Sequence, residues 1–290
     1  MEVERQGRDK GPVPLSHCPP VPPPPVPPLS QEGVYDIMSY YYLLDEPLIL
    51  RNAFFPRRGL RRCPENAFDL QISVETDISL HCRFYSRGPA LPTILFFHGN
   101  GEIVSDYDGF ARLYNAAGAN LAVAEYRGYG NSSGTPTFTA LLADAHVILD
   151  AVKKEMASRK YSSELYIMGR SLGSVSALEL AAARTGEIKG LIIESGFVCA
   201  SRIARRLGFS GEVLEPLEEE CRQKIQSIRV PALIIHGEED NLVPLAEAEA
   251  IYSLLKTDEK KLVIIPYADH NSLIFEGEEE YFSSIAAFIK

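Results

Sequence analysis

The stretch Leu165-Tyr166-Ile167-Met168-Gly169-Arg170-Ser171-Leu172-Gly173-Ser174-Val175 passes from a short apolar run into a Gly-x-Ser-x-Gly pentad and then into an Ala/Leu-rich segment. This order is typical of a strand, a sharp turn and a helix, with the serine at the apex of the turn. The two pentad glycines leave room where a Cβ would collide with neighbouring elements. The stretch predicts an exposed Ser171 hydroxyl, although the pentad alone would also suit a surface turn, because Gly and Ser are common residues.

Apolar runs and helix-like segments alternate on both sides of this stretch. Eight runs are predicted as strands, at residues 68–74, 78–85, 93–97, 120–126, 164–168, 190–194, 232–236 and 261–265. Five segments are predicted as helices, at residues 104–118, 137–157, 172–184, 245–255 and 279–289. The first two strands flank a turn and read as a hairpin. The alternation predicts an α/β fold: a mostly parallel, twisted sheet of about eight strands with helices on both faces.

Two segments depart from this rhythm. Residues 197–229 are longer than an ordinary α/β connection and are mixed in polarity, so we expect a partly helical cap or lid insertion, with a plain excursion as the alternative. Residues 19–28 are nearly continuous proline, which favours extended polyproline II. We therefore predict a disordered Pro-rich tail over residues 1–33 and a single α/β domain over residues 34–290. The tail would either bind an SH3 or WW-type partner or serve as a stiff extension.

Composition excludes several classes of protein. A net charge of −10 in 290 residues disfavours nucleic-acid binding, which rests on clustered Lys and Arg. The five cysteines are widely spread without a Cys-x-x-Cys pair, so neither a disulfide framework nor a zinc site is indicated, and we predict no metal and no cofactor. No apolar run approaches the roughly 18 residues that span a bilayer. We expect a soluble, cytoplasmic protein without an integral membrane span.

A serine nucleophile needs an imidazole base and a carboxylate that orients the imidazole. His270 follows the last predicted strand, and Asp240 follows the strand before it, which gives the chain order Ser, Asp, His that this turn requires. A surface histidine is the alternative for His270. Glu238, Glu239 and Asp269 compete as the acid, but Asp240 lies in a loop that can turn its short side chain inward. The predicted catalytic residues are Ser171, Asp240 and His270.

The loop after the third predicted strand contains His98-Gly99-Asn100-Gly101. A hydrolase of this kind binds the developing oxyanion with two backbone N–H groups, one from the residue after the nucleophile and one from a loop at this position. We assign these N–H groups to Leu172 and Asn100. His98 is interpreted as a residue that holds the loop, because the base comes last in the chain.

These motifs together resemble those of the α/β hydrolases, and within them the serine hydrolases of the Bem46 type and of the α/β hydrolase domain-containing 13 and 17 type. The matching words are Phe97-His98-Gly99-Asn100-Gly101, Tyr126-Arg127-Gly128-Tyr129-Gly130-Asn131-Ser132, Gly169-Arg170-Ser171-Leu172-Gly173-Ser174, His236-Gly237-Glu238-Glu239-Asp240 and Asp269-His270-Asn271. They cover residues 68–290. The resemblance implies esterase or thioesterase chemistry without a metal or an organic cofactor, and with Ser171, Asp240 and His270 as the triad.

The sequence thus predicts a serine hydrolase that cleaves carboxylic ester or thioester bonds of a small-molecule or acyl substrate through an acyl-enzyme. Two alternatives stay open. The same triad cuts amides, as in a serine peptidase or acyl-peptide hydrolase. From a different class of protein, the chain would be a scaffold that acts through its Pro-rich tail.

Overall fold

An eight-stranded sheet runs through residues 39–290, the part of the chain that the computed structural model describes. The strands are β1 (Ala67–Glu75), β2 (Ile78–Tyr85), β3 (Thr93–Phe97), β4 (Asn120–Ala124), β5 (Leu165–Arg170), β6 (Gly190–Glu194), β7 (Ala232–Gly237) and β8 (Lys260–Ile265). The predicted tail and its partner lie outside the described residues.

The strands lie side by side in the order β1-β2-β4-β3-β5-β6-β7-β8. β2 pairs antiparallel with both β1 and β4, and every later pairing is parallel. The central strands β3, β4 and β6 are buried along their whole length, as expected of parallel strands covered on both faces. The predicted fold class, a mostly parallel sheet of about eight strands, is confirmed.

Helices cover both faces of the sheet. They are α1 (Pro47–Ala53), α2 (Ala111–Ala116), α3 (Phe138–Ser158), α4 (Ser174–Ala183), α5 (Ser201–Arg206), α6 (Gly211–Ser227), α7 (Leu245–Leu254) and α8 (Leu273–Phe288). Along β3, Leu95 and Phe97 belong to one apolar cluster, with residues of α3 and α4, while Ile94 and Phe96 belong to a second cluster, with residues of α2 and α8. Successive side chains of a strand point to opposite faces, so the sheet separates two cores.

Two predicted helices differ from the observed ones. The predicted helix over 104–118 is a 3-10 turn (Val104–Asp108) followed by the short α2, and the two are separated at Gly109, a poor helix former. The closing helix α8 begins six residues before the predicted start at 279. The α8 backbone leaves helical geometry at Gly277. A glycine inside a helix interrupts the hydrophobic periodicity of the sequence, so the turns of α8 before Gly277 were not predicted.

The segment before β1, in which no helix or strand was predicted, packs against the rest of the domain. A 3-10 turn (Tyr40–Leu44) and α1 bury Tyr41, Leu44 and Ile49 in the larger core. Ser39 adds a hydrogen bond from its Oγ to Glu220 Oε1 at 2.6 Å.

Residues 197–229, predicted as a cap, contain α5 and α6. The α6 residues Leu214, Leu217 and Cys221 are buried in the larger core, so α6 is the crossover helix between β6 and β7. The part with α5 contacts the loop after β7, where Arg202 donates to the Leu242 carbonyl at 2.9 Å. A cap role stays a prediction for that shorter part.

Within residues 39–290, no helix combines the length and the apolar character needed to cross a bilayer.

Candidate active site

The turn between β5 and α4 holds Ser171 in a left-handed backbone conformation, with φ of 50°. Such a conformation is uncommon for a residue with a side chain and is stabilised here by close packing. A Cβ on Gly169 would strike the Gly173 carbonyl, and a Cβ on Gly173 would strike the Phe97 carbonyl at the end of β3. The pentad glycines are therefore required because the two strands and the helix meet without space for side chains.

His270 lies in the loop between β8 and α8 and faces the serine. Its Nε2 is 2.9 Å from Ser171 Oγ, and its Nδ1 is 2.7 Å from Asp240 Oδ2. A carboxylate at Nδ1 favours the tautomer that carries a proton there, which leaves Nε2 free to accept the serine proton. The structure thus brings together the three residues predicted as the triad, in hydrogen-bonded order.

Asp240 is buried in the loop after β7 and is held from several sides. Its Oδ1 accepts the backbone N–H groups of Leu242 at 3.0 Å and Val243 at 2.7 Å, while its Oδ2 faces His270. Burial alone would raise the pKa of this carboxyl. The hydrogen bonds from His270 and Val243 more than offset that effect and lower the pKa below its usual value, so the group stays ionised.

The competing carboxylates lie elsewhere. Glu238, Glu239 and Asp269 are exposed, and the Asp269 carboxylate accepts the N–H of Asn271 at 2.8 Å rather than facing the imidazole. A second histidine, His236, was not predicted to belong to the site. Its Nε2 lies 2.8 Å from the Val243 carbonyl and 3.4 Å from Asp240 Oδ2, so it packs behind the acid loop.

The loop with the predicted oxyanion residue Asn100 packs against the serine turn. The Asn100 side chain is fully engaged: its Nδ2 donates to the Ala53 carbonyl at 2.7 Å, and its Oδ1 accepts from the Phe55 N–H at 3.0 Å and the Tyr129 hydroxyl at 2.6 Å. Within residues 39–290, its backbone N–H has no protein acceptor. Leu172 lies in the first turn of the helical segment after Ser171, where backbone N–H groups lack intrahelical partners.

Sequence reasoning missed the residues that surround the triad. Arg170, inside the pentad, donates from Nη2 to the His270 carbonyl at 2.8 Å and pairs with Glu102 and Glu194. A charged residue at the end of an apolar strand was the available signal, but its partners are distant in sequence. His98 is buried between the rings of Tyr126 and Tyr129, consistent with a role in holding the loop.

The described residues offer no grouping of three or more His, Cys, Asp or Glu side chains that could hold a metal ion.

Comparisons with known proteins agree with this fold. Protein bem46 of Schizosaccharomyces pombe is 28% identical over 267 residues, which cover 87% of this chain and 88% of that protein. The α/β hydrolase domain-containing protein 17B of Homo sapiens is 29% identical over 216 residues, which cover 72% of this chain and 70% of that protein. The solved structure of the Pyrococcus furiosus esterase Pf2001 gives a TM-score of 0.64 at 20% identity, over 80% of this chain and 97% of that chain.

A family model described as serine aminopeptidase, S33, matches residues 88–207 and 211–278. These residues are more than half of the chain and include β3 to β8 with the loops that carry Ser171, Asp240 and His270. The likeness to the esterase supports the same fold. The chain belongs to the Hydrolase_4 family of α/β hydrolases, and it is a hydrolase.

Proposed function

We propose that the protein is a serine hydrolase that cleaves carboxylic ester or thioester bonds of a small acyl substrate. The observation that carries the proposal is the line of two hydrogen bonds from Ser171 Oγ through His270 to the buried Asp240. We take residues 34–290 as the catalytic domain, with the α5 region of residues 197–229 bordering the site.

In the proposed reaction, Ser171 Oγ attacks the acyl carbon while His270 Nε2 takes the hydroxyl proton. Asp240 stabilises the imidazolium that forms, and the N–H groups of Leu172 and Asn100 bind the oxyanion. The bond from the acyl carbon to the leaving oxygen or sulfur then breaks, and His270 returns the proton to that atom. Water deprotonated by the same histidine releases the acid and regenerates the serine.

Ester or thioester cleavage is favoured over amide cleavage by the leaving group. An amide is stabilised by resonance between its nitrogen and carbonyl, and its nitrogen must be protonated before the C–N bond can break, which makes esters and thioesters the less demanding substrates for this triad. The Pyrococcus furiosus protein Pf2001, which has the same fold, is an esterase. The family description, serine aminopeptidase, supports peptide cleavage as the second candidate.

The first test is labelling with a fluorophosphonate probe together with hydrolysis of p-nitrophenyl acetate, butyrate and octanoate, a matching thioester and an aminoacyl p-nitroanilide. We expect the probe to attach to Ser171, and kcat/KM to be higher for the esters and the thioester than for the anilide. Ser171→Ala should lower kcat by at least about 10³-fold and abolish labelling, because the attacking atom is lost.

Ser176→Ala is the matched control. Ser176 is a buried serine of α4 whose Oγ donates to the Leu141 carbonyl at 3.2 Å, away from the triad, so this variant should keep its labelling and activity. An intact, folded protein in which Ser171 stays unlabelled contradicts the proposal. A preference for the anilide over every ester would favour the peptidase.

A further inference from the structure

Arg170 occupies the junction between the serine turn and the histidine loop. Its side chain is only 12% exposed and bonds in several directions. Nη2 donates to the His270 carbonyl at 2.8 Å and to Asn271 Oδ1 at 3.0 Å, while Nε donates to Glu194 Oε1 at 3.0 Å. Arg170 precedes the nucleophile Ser171 in sequence, and it binds the backbone carbonyl of His270, which lies 100 positions further along the chain.

Glu102 extends this connection to the oxyanion loop. One carboxylate oxygen, Oε1, accepts from Arg170 Nη1, and the other, Oε2, accepts the Gly99 N–H at 2.7 Å and the Tyr107 hydroxyl at 2.6 Å. A Cβ on Gly99 would collide with the guanidinium, so the glycine before Asn100 leaves the space that Arg170 fills. Arg170 and Glu102 therefore touch the backbone on both sides of the serine.

We propose that Arg170 and Glu102 act as a pair of positioning residues that sets the His270 imidazole and the Asn100 N–H relative to Ser171. The inference rests on the proposed function. The base and the oxyanion loop follow different strands, β8 and β3, which are not neighbours in the sheet. A bonded bridge between the two loops fixes their separation more directly than the sheet does. Because displacement by about 1 Å can cost about 10²-fold in rate, such a bridge is expected to act on kcat.

Arg170, Glu102 and Glu194 are held together by ion pairs and hydrogen bonds. The guanidinium keeps the pKa of Glu102 low although burial would raise it, whereas burial raises the pKa of Glu194.

A cavity of about 320 Å³ opens beside the guanidinium and is bordered by Glu102, Glu194 and Asn271. Small solutes can therefore reach the position that the guanidinium would vacate.

The test compares Arg170→Ala and Arg170→Lys with the wild type on p-nitrophenyl butyrate. We expect Arg170→Ala to lower kcat by about 10²-fold with KM changed less than about threefold, because the loops lose their alignment and not their substrate contacts. Arg170→Lys should lie between the two, since an ammonium reaches fewer acceptors than a guanidinium. Added methylguanidinium should restore the kcat of Arg170→Ala at least tenfold, and urea, which lacks the charge, should not.

Arg184 provides the matched control. Its side chain is also 12% exposed and pairs with two carboxylates, Asp150 and Glu187, but it lies at the far end of α4. Arg184→Ala should lower the melting temperature and leave kcat of the folded protein unchanged. If Arg170→Ala does not fold, Arg170→Lys and Glu102→Gln carry the same expectation for kcat and KM.

A double-variant cycle tests whether the two residues act as one. In the double variant Arg170→Lys/Glu102→Gln, kcat should be no lower than in the less active of the two single variants. The reason is that one substitution is enough to break the link between Arg170 and Glu102. Losses that multiply, or a folded Arg170→Ala with wild-type kcat, would overturn the inference. Wild-type protein that hydrolyses no substrate and takes up no fluorophosphonate would instead overturn the proposed function, so the two failures are distinguishable.

Discussion

The Asp240 carboxylate is hydrogen-bonded through both of its oxygens. Two backbone N–H groups hold one oxygen, and His270 Nδ1 lies 2.7 Å from the other. This arrangement fixes the position of the carboxylate independently of the histidine, so the imidazole is oriented by a group that does not itself move. The burial of Asp240 also strengthens its interaction with an imidazolium, since the surrounding dielectric is low.

At this scale we predict the effect of Asp240→Asn. The amide oxygen can still accept the Leu242 and Val243 N–H groups, so the loop should keep its shape, but the amide cannot stabilise an imidazolium and favours the wrong tautomer of His270. By analogy with the same change in the chymotrypsin triad, kcat should fall by about 10⁴-fold. Steady-state hydrolysis of a p-nitrophenyl ester measures the loss.

The comparison variant is Asp269→Asn, next to His270 in sequence. Its carboxylate is exposed and is hydrogen-bonded to Asn271 and Ser272 of the same loop rather than to His270. The kcat of Asp269→Asn should therefore stay within a fewfold of wild type. A larger loss in Asp269→Asn than in Asp240→Asn would mean that the acid has been assigned to the wrong residue.

Single residues were predictable where they follow a strand. Ser171, Asp240 and His270 each lie in the turn or loop that follows an apolar run, and the ends of parallel strands meet at one edge of a sheet. Arg170 and Glu102 were not predictable, because their roles depend on where two long side chains point. Nothing in the sequence indicates that Arg170 faces a carbonyl at residue 270.

At the scale of elements, the turn between β5 and α4 depends on close approach to β3. Gly173 lies where a Cβ would meet the backbone carbonyl of Phe97, an atom that cannot rotate away. The main chain of the serine turn thus rests directly on the end of the neighbouring strand, and this contact determines where the Ser171 hydroxyl emerges.

Gly173→Ala should therefore destabilise the protein and displace the serine. Small-to-large changes at packed positions cost about 1–3 kcal/mol of unfolding free energy, and a shifted nucleophile should lower kcat by at least about tenfold. Urea unfolding and ester hydrolysis measure the two effects. In Gly186→Ala, a Cβ meets no atom within 4 Å, so stability and kcat should stay close to wild type. Equal behaviour of the two variants would contradict the packing argument.

The buried strands were predicted to within two residues because a short, mostly apolar run, as in β3 and β6, fits a covered parallel strand. Helices were harder. The 3-10 turn before α2 is separated from it at Gly109, and α8 continues through a non-helical Gly277. Both depend on the local backbone at a glycine, which hydrophobic periodicity does not report.

For the whole molecule, strand order is the feature that sequence alone left open. β3 lies between β4 and β5, and this crossover brings the Asn100 loop beside Ser171. The segment at residues 39–55, which is not part of the sheet, also contacts this loop, because Ala53 and Phe55 are hydrogen-bonded to the Asn100 side chain. Long-range pairing of this kind is determined by packing of the entire chain, so individual segments do not reveal it.

The distribution of charge gives the molecule a predictable response to acid. In the folded state Asp69, Glu179 and Asp240 have lowered pKa values, because hydrogen bonds and opposite charges outweigh burial, and Glu187, paired with Arg184 and Lys153, has a pKa of about 2. A carboxylate with a lowered folded pKa stabilises the fold above its unfolded pKa and loses that contribution as the pH falls through the folded value. The raised pKa values of Asp144 and Glu194 have the opposite effect, because the fold binds more protons than the unfolded chain between each group's ordinary pKa and its raised one.

The free energy of unfolding should therefore decrease between about pH 4.5 and pH 2, because the unfolded chain binds more protons than the fold over that range. Urea titrations at half-unit pH intervals measure the slope. Glu187→Gln should make the slope shallower, by no more than about 1 kcal/mol across the window, since Glu187 is partly exposed and solvent screens its ion pairs. Glu249→Gln, at an exposed position that makes no ion pair within residues 39–290, should leave the slope unchanged. A stability that stays constant or rises as the pH falls from 4.5 to 2 would show that these carboxylates do not stabilise the fold by remaining ionised.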